Sequence, residues 1–293
     1  MSRFLRTLVL CGAAWLTCAS VVVIAEGGGI LQRFPLNIDS MMQWRLPDRL
    51  NELSGLALTK DGRLLSVDDE SAIVYELDFD DGRLVKAFAL GNPVAKGDFE
   101  GIAIVDDLIY LITSTGRVYL AAEGADGQRV TFDNYDTELG GLCEIEGLTQ
   151  SPDDSRLFIL CKNVRDRSEI KGLMIFAWSV EDRKLLAEES VLLPEREILA
   201  KLRVDRLSPS GLTIDRSTGN FILIAARQQA LVEIAPDGRL VDARNIPLTT
   251  RHRQAEGIEL SSNGRLLIVD EGGTHKARLA VYRQDEDVKA ANE

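Results

Sequence analysis

Phe99-Glu100-Gly101-Ile102-Ala103 is one of five copies of a short core in this chain. The others are Leu53-Ser54-Gly55-Leu56-Ala57, Ile145-Glu146-Gly147-Leu148-Thr149, Pro209-Ser210-Gly211-Leu212-Thr213 and Ala255-Glu256-Gly257-Ile258-Glu259. The pattern is Glu or Ser, then Gly, then Leu or Ile. The glycines at 55, 101, 147, 211 and 257 lie 46, 46, 64 and 46 residues apart. A recurring interval of this size matches one four-stranded propeller blade, with an insertion in the third unit.

The sequence between the cores supports that reading. Each core is followed by a turn, such as Asp61-Gly62 or Asn263-Gly264, and then by a β-rich run: Arg63 to Val67, Leu108 to Thr113, Arg156 to Leu160, Asn220 to Ala225 and Arg265 to Val269. Gly and Asn tolerate the positive φ of tight hairpins, so core, turn and run form two paired strands. A third strand is expected at Ile73 to Leu77, Arg117 to Ala121, Leu173 to Trp178, Leu231 to Ile234 and Arg278 to Tyr282. A fourth is expected at Leu84 to Leu90, Arg129 to Phe132, Glu189 to Leu193 and Ala243 to Leu248. The fifth unit runs out of chain, and Met42 to Leu46 is the segment expected to complete it, closing the ring and removing its free edges. The fold expected is an all-β, five-bladed β-propeller over residues 41–285. Six blades is the alternative if the long third unit hides another, although Glu181 to Arg206, with its charge-interleaved leucines, also reads as a rim insertion with a short helix.

Ahead of this body, Arg3 and Arg6 precede an uncharged stretch from Leu8 to Ala25. A charged start followed by an apolar core is the pattern of an export signal, and its length also reaches the lower limit for a membrane span. Residues 1–25 are therefore expected to be a signal peptide or a hydrophobic helical anchor. Either places the propeller outside the cytoplasm, in the periplasm or on the cell membrane, with the membrane touched only through this segment. Residues 26–40 read as a linker and 286–293 as a polar tail.

Composition narrows the chemistry. The 293 residues hold 34 basic and 46 acidic side chains, a net charge of −12, so the chain has no electrostatic grip on phosphate backbones and nucleic acid is excluded as a partner. With only two histidines, His252 and His275, a multi-histidine zinc or iron site is not available, and any metal must be held by oxygen. No nucleophile elbow, phosphate-binding glycine loop or dinucleotide fingerprint is present.

The repeat itself concentrates carboxylates. If each core opens the innermost strand of its blade, then Ser54, Glu100, Glu146, Ser210 and Glu256 form a ring at one end of the axis. Pairing across the first hairpin brings Asp69 and Asp270 opposite that ring, with Asp68, Glu70, Asn163 and Glu271 as near neighbours. Converging glutamates repel and are relieved by protons, by a cation or by basic neighbours. The expected metal ligands are Glu100, Glu146, Glu256, Asp69 and Asp270, with calcium the best suited ion. The alternative is structural pairing of the same glutamates with Lys162 or Arg227. His275, in a loop on that face, is the candidate general base, and His252 a second.

Cys143 and Cys161 are the two cysteines beyond the leader. They flank the first hairpin of the third unit and fall within one register step of each other. In an oxidising compartment this favours a disulfide over two buried thiols.

The cores Leu53-Ser54-Gly55-Leu56, Phe99-Glu100-Gly101-Ile102, Cys143-Glu144-Ile145-Glu146-Gly147-Leu148, Ser208-Pro209-Ser210-Gly211-Leu212 and Gln254-Ala255-Glu256-Gly257-Ile258 resemble those of the SdiA-regulated family of exported proteins, the YjiK-like group. The resemblance implies a propeller with a calcium-type ion near its axis, and no established activity. More distantly, and by fold alone, the chain is similar to calcium-dependent propeller lactonases and esterases. Two functions stay open: a propeller presenting a ligand- or partner-binding face for a small molecule or a protein, or a calcium-dependent hydrolase.

Overall fold

Each repeat begins at a hairpin whose turn the sequence specifies. Gly62, Gly219 and Gly264 take φ of +83°, +76° and +77°, which side chains resist, and each lets an inner strand return antiparallel beside itself. The computed structural model of the protein describes residues 28–164 and 172–285. The expected leader and polar tail lie outside these residues. Among the described residues no helix is long and apolar enough to cross a membrane.

The strands form five sheets, and the protein is a five-bladed β-propeller. From the axis outward, blade one holds Leu53–Leu58, Leu64–Asp68, Ile73–Asp78 and Arg83–Leu90. Blade two holds Phe99–Val105, Leu108–Thr113, Arg117–Ala122 and Asp133–Asp136. Blade three holds Cys143–Gln150, Arg156–Val164 and Met174–Ser179, with the short Lys184–Leu185 and Val191–Leu192 both paired to its third strand. Blade four holds Gly211–Ile214, Phe221–Ala225, Ala230–Ile234 and Leu240–Asn245. In blade five, Ala255–Leu260, Leu266–Asp270 and Arg278–Tyr282 are followed by Met41–Arg45 from the other end of the chain, in register from Met41 opposite Tyr282 to Arg45 opposite Arg278.

Five apolar clusters fill the gaps between neighbouring blades. Blades one and two share Val67, Phe88, Ile102 and Leu111, and blades five and one share Leu53, Leu56, Val269 and Leu279. At the axis the repeated glycines explain themselves. A Cβ on Gly55 would lie 2.9 Å from Gly101 Cα, one on Gly101 2.6 Å from Leu148 N, one on Gly147 3.2 Å from Leu212 N, and one on Gly257 2.9 Å from Gly55 C. Four of the five inner strands approach this closely only where a side chain is missing; at Gly211 the nearest blade-five atom, Ile258 Cγ2, lies 3.5 Å from the Cβ position.

Three expectations need correction. Arg129–Val130 is not the outer strand of blade two: it pairs in parallel with Ala89 and Leu90 of blade one, and the polar Asp133–Asp136 takes the outer place. Val130 and Phe132 gain burial against the core between blades one and two, whereas an exposed edge favours Asp-Asn-Tyr-Asp. The insertion of blade three contributes the helix Glu195–Leu202, whose Ile198 and Leu202 pack into the blade three–four core, so no sixth blade is hidden there. Finally, within residues 26–40, expected as a linker, the part from Leu31 to Leu36 packs against the propeller. Leu31, Phe34 and Leu36 are buried between blades four and five. Their backbone is tied down too: Glu233 accepts from Ile30 N and Leu31 N at 3.0 and 3.1 Å, and Arg244 donates to Leu31 O and Phe34 O at 2.6 and 2.8 Å.

Cys143 and Cys161 form a disulfide with Cα atoms 5.8 Å apart. They are not directly opposed. Cys143 faces Val164 and Cys161 faces Ile145, because the ladder shifts on either side of Ile145.

Candidate functional site

The Glu-Gly pair of the core sits on a β-bulge. The pairing of inner and second strands shifts between Ser54 and Leu56, between Phe99 and Gly101, between Ile145 and Leu148, and between Ala255 and Gly257. A bulge inserts one residue and re-aims its side chain. Here it brings Ser54, Glu100, Glu146 and Glu256 to a cavity of about 180 Å³ also lined by Leu53, Asp69, Lys162 and Glu271. Ser210 of blade four instead donates its hydroxyl to Ala255 O at 2.6 Å, joining blades four and five.

The structure therefore brings together Glu100, Glu146, Glu256 and Asp69 of the expected set, and leaves out Asp270. The reason is parity. Asp270 pairs with Ala255 as Asp68 pairs with Leu53, so the counterpart of Asp69 is Glu271. One step along a strand reverses the face on which a side chain stands. Asp270 is buried, within 2.8 Å of His252 Nδ1, while His252 Nε2 lies 2.8 Å from the Tyr282 hydroxyl. His252 is thus an internal strut with no solvent access. His275 is exposed and lines a neighbouring cavity of about 400 Å³ with Arg253, Glu271 and Lys276.

Two arrangements of charge share this face. On the side of blades one and five, Glu52, Asp69 and Glu271 each offer a carboxylate oxygen, all within 4.8 Å of one another. Oxygens on opposite sides of a calcium ion stand about 5 Å apart, so this spacing suits one ion. Asp69 Oδ1 is buried and, among the described residues, has no hydrogen-bond partner. Glu52 was not legible in the cores themselves, but it belongs to a second position, three residues before the glycine, that is acidic in blades one to three (Glu52, Asp98 and Glu144) and Ser208 and Gln254 in blades four and five. On the side of blades three and four, Lys162 donates to Glu146 at 2.6 Å, so Glu146 already has a counter-charge. An adjoining cavity of about 290 Å³ adds Arg227 and Arg253.

Protonation follows this asymmetry. Burial, then the charges of Glu146, Asp98 and Glu256, push Glu100 up to about 9. Burial and the charges of Glu146 and Glu271 raise Glu256 to about 8. Burial together with the bond and charge of Glu52 raises Glu271 to about 8, and burial with four acidic neighbours raises Asp69 to about 6. Burial also raises Glu146, with Lys162 opposing it. Without a cation, Glu100, Glu256 and Glu271 hold their protons near neutral pH.

A model of the SdiA-regulated family matches residues 29–271 and, a second time, residues 196–293. The chain belongs to the SdiA-regulated family. Solved structures similar to this family member include the glutaminyl cyclase of Myxococcus xanthus, at 15% identity over 83% of this chain and 94% of that one, with a TM-score of 0.55. A luciferin-regenerating enzyme is similar at 9% identity over 83% and 95% of the two chains, with a TM-score of 0.50. At such identities the likeness is one of fold.

Proposed function

We propose that this SdiA-regulated protein is an exported propeller that holds a calcium-type ion at the acidic mouth of its axis and presents the surrounding face to a ligand. Glu52, Asp69 and Glu271 would hold the ion, with Glu100 and Glu256 beside them. The observation that carries the reading is the three carboxylate oxygens within 4.8 Å, beside which Asp69 Oδ1 is buried with no hydrogen-bond partner among the described residues. A bound ion supplies positive charge to this cluster and an open position for an oxygen ligand. Lys162, Arg227 and Arg253 stand on the other flank, so a ligand with an anionic group suits the face. Export is supported by the Cys143–Cys161 disulfide, which fits an oxidising compartment, and by the charge and apolarity of the leader sequence. Pairing of Met41–Arg45 onto blade five supports a ring locked by the N-terminal strand.

Binding is preferred to hydrolysis because neither histidine lines the carboxylate cavity. The test is calorimetric titration of calcium into chelator-stripped protein. One saturable site per chain is expected, weakened at least tenfold by Glu271→Gln. Absence of saturable binding, or an unchanged affinity in Glu271→Gln, would reject the proposal.

A further inference from the structure

The inner strands end at a second mouth, on the far side of the glycine ring from the carboxylates. A cavity of about 780 Å³ opens there, within the usual range of small-molecule sites. Its floor follows the repeat three residues after each glycine: Leu58, Ile104, Gln150, Ile214 and Leu260. Four are aliphatic. Blade three breaks the rule with Gln150, which is 4% exposed and whose Oε1 is buried without a hydrogen-bond partner among the described residues.

The position before it is uneven in the same direction. Blades one and two carry Ala57 and Ala103, whereas blades three, four and five carry Thr149, Thr213 and Glu259, all buried. Glu259 is already satisfied: its carboxylate accepts from the Thr213 hydroxyl at 2.6 Å and from Leu260 N at 2.7 Å. Among the described residues, Gln150 Oε1 is the buried acceptor in this arc left without a bond, and leaving such a group buried and unpaired costs about 1–3 kcal/mol. On the rim, Lys60, Arg216 and Asp215 have partners, and Arg33 is an exposed cation of the lining. Lys60 pairs with Asp106 at 3.1 Å and Asp154 at 3.3 Å, and Arg216 with Asp154 at 3.3 Å, while the Asp215 carboxylate accepts from Ser217 and Thr218.

We infer that this bowl is a second binding site, independent of the acidic mouth, for an uncharged small molecule that sets an amide or hydroxyl against Gln150 and an apolar body against Leu58, Ile104 and Leu260. A carboxamide side chain both donates and accepts, so a primary amide complements it at two points. An anionic head group would share the bowl with the buried Glu259 as well as the exposed Arg33, and the nearby carboxylates Asp106, Asp154 and Asp215 already have partners that a cationic one would have to displace.

Hexanamide, hexylamine and hexanoate share one chain and differ in head group, and they are the probes. Titrated by ligand-observed NMR into chelator-treated protein, hexanamide is expected to bind saturably and at least tenfold more tightly than the other two. Gln150→Leu, which restores the residue type of the other blades, is expected to keep or raise the melting temperature and to lose hexanamide at least tenfold. Gln150→Met provides the same comparison should the leucine variant fold poorly. No saturable hexanamide binding, equal binding of the charged analogues, or wild-type affinity in a folded Gln150 variant would overturn the inference. Because no calcium is present, these outcomes are separate from the fate of the metal proposal.

Discussion

Asp270 and Glu271 are adjacent in sequence, yet one is locked inside blade five and the other faces the axial cavity. Asp270 serves His252 and accepts from Gln254 N at 3.2 Å, so its carboxylate belongs to the packing of the blade. Asp270→Asn is expected to lower stability by about 1–3 kcal/mol, the scale of a weakened buried charged hydrogen bond, and to leave calcium affinity unchanged. Denaturant unfolding alongside calcium titration checks both halves, and a tenfold loss of affinity would make Asp270 a ligand. The repeat cores made Glu100, Glu146 and Glu256 legible as one cluster because they occupy equivalent positions, and pairing across the first hairpin added Asp69. Glu271 was also within reach of the sequence, since it stands 14 residues after Gly257 as Asp69 stands 14 after Gly55, whereas Asp270 falls one step short.

At the scale of strands, a bulge and a glycine do linked jobs. The bulge turns the glutamates toward the mouth, and the glycine beside it lets neighbouring inner strands touch. Gly101→Ala is therefore expected to cost about 1–3 kcal/mol, since its Cβ would fall 2.6 Å from Leu148 N and 2.8 Å from Leu148 Cβ. Gly141→Ala is the control, because nothing lies within 4 Å of a Cβ there. Thermal unfolding of the two variants makes the comparison, and equal melting temperatures would contradict the crowded axis. Inner, second and third strands were readable because each buries a β-branched or aliphatic run between defined turns. The outer strands were readable in blades one and five, at Leu84 to Leu90 and Met42 to Leu46, but not in blade two, which ends its sheet with Asp-Asn-Tyr-Asp, whose polarity suits an edge but matches no strand pattern.

Across the whole molecule, the five interblade cores supply cohesion and the acidic mouth opposes it. Glu100, Glu256 and Glu271 ionise near the ordinary glutamate value of about 4.3 when the chain is unfolded, but at about 9, 8 and 8 in the folded protein. From about pH 5 to about pH 9 the folded state keeps protons that the unfolded state has released, so stability falls as pH rises through this window. The urea midpoint of calcium-free protein is accordingly expected to drop between about pH 6 and about pH 9, and saturating calcium to flatten the slope. A midpoint independent of pH in the absence of calcium would count against the cluster's protonation.

The most direct measurement is anomalous diffraction from crystals grown with calcium, with data collected at long wavelength. A single peak enclosed by Glu52, Asp69 and Glu271 is the result the account predicts. An empty cluster, or a peak bound elsewhere on the propeller, would contradict it.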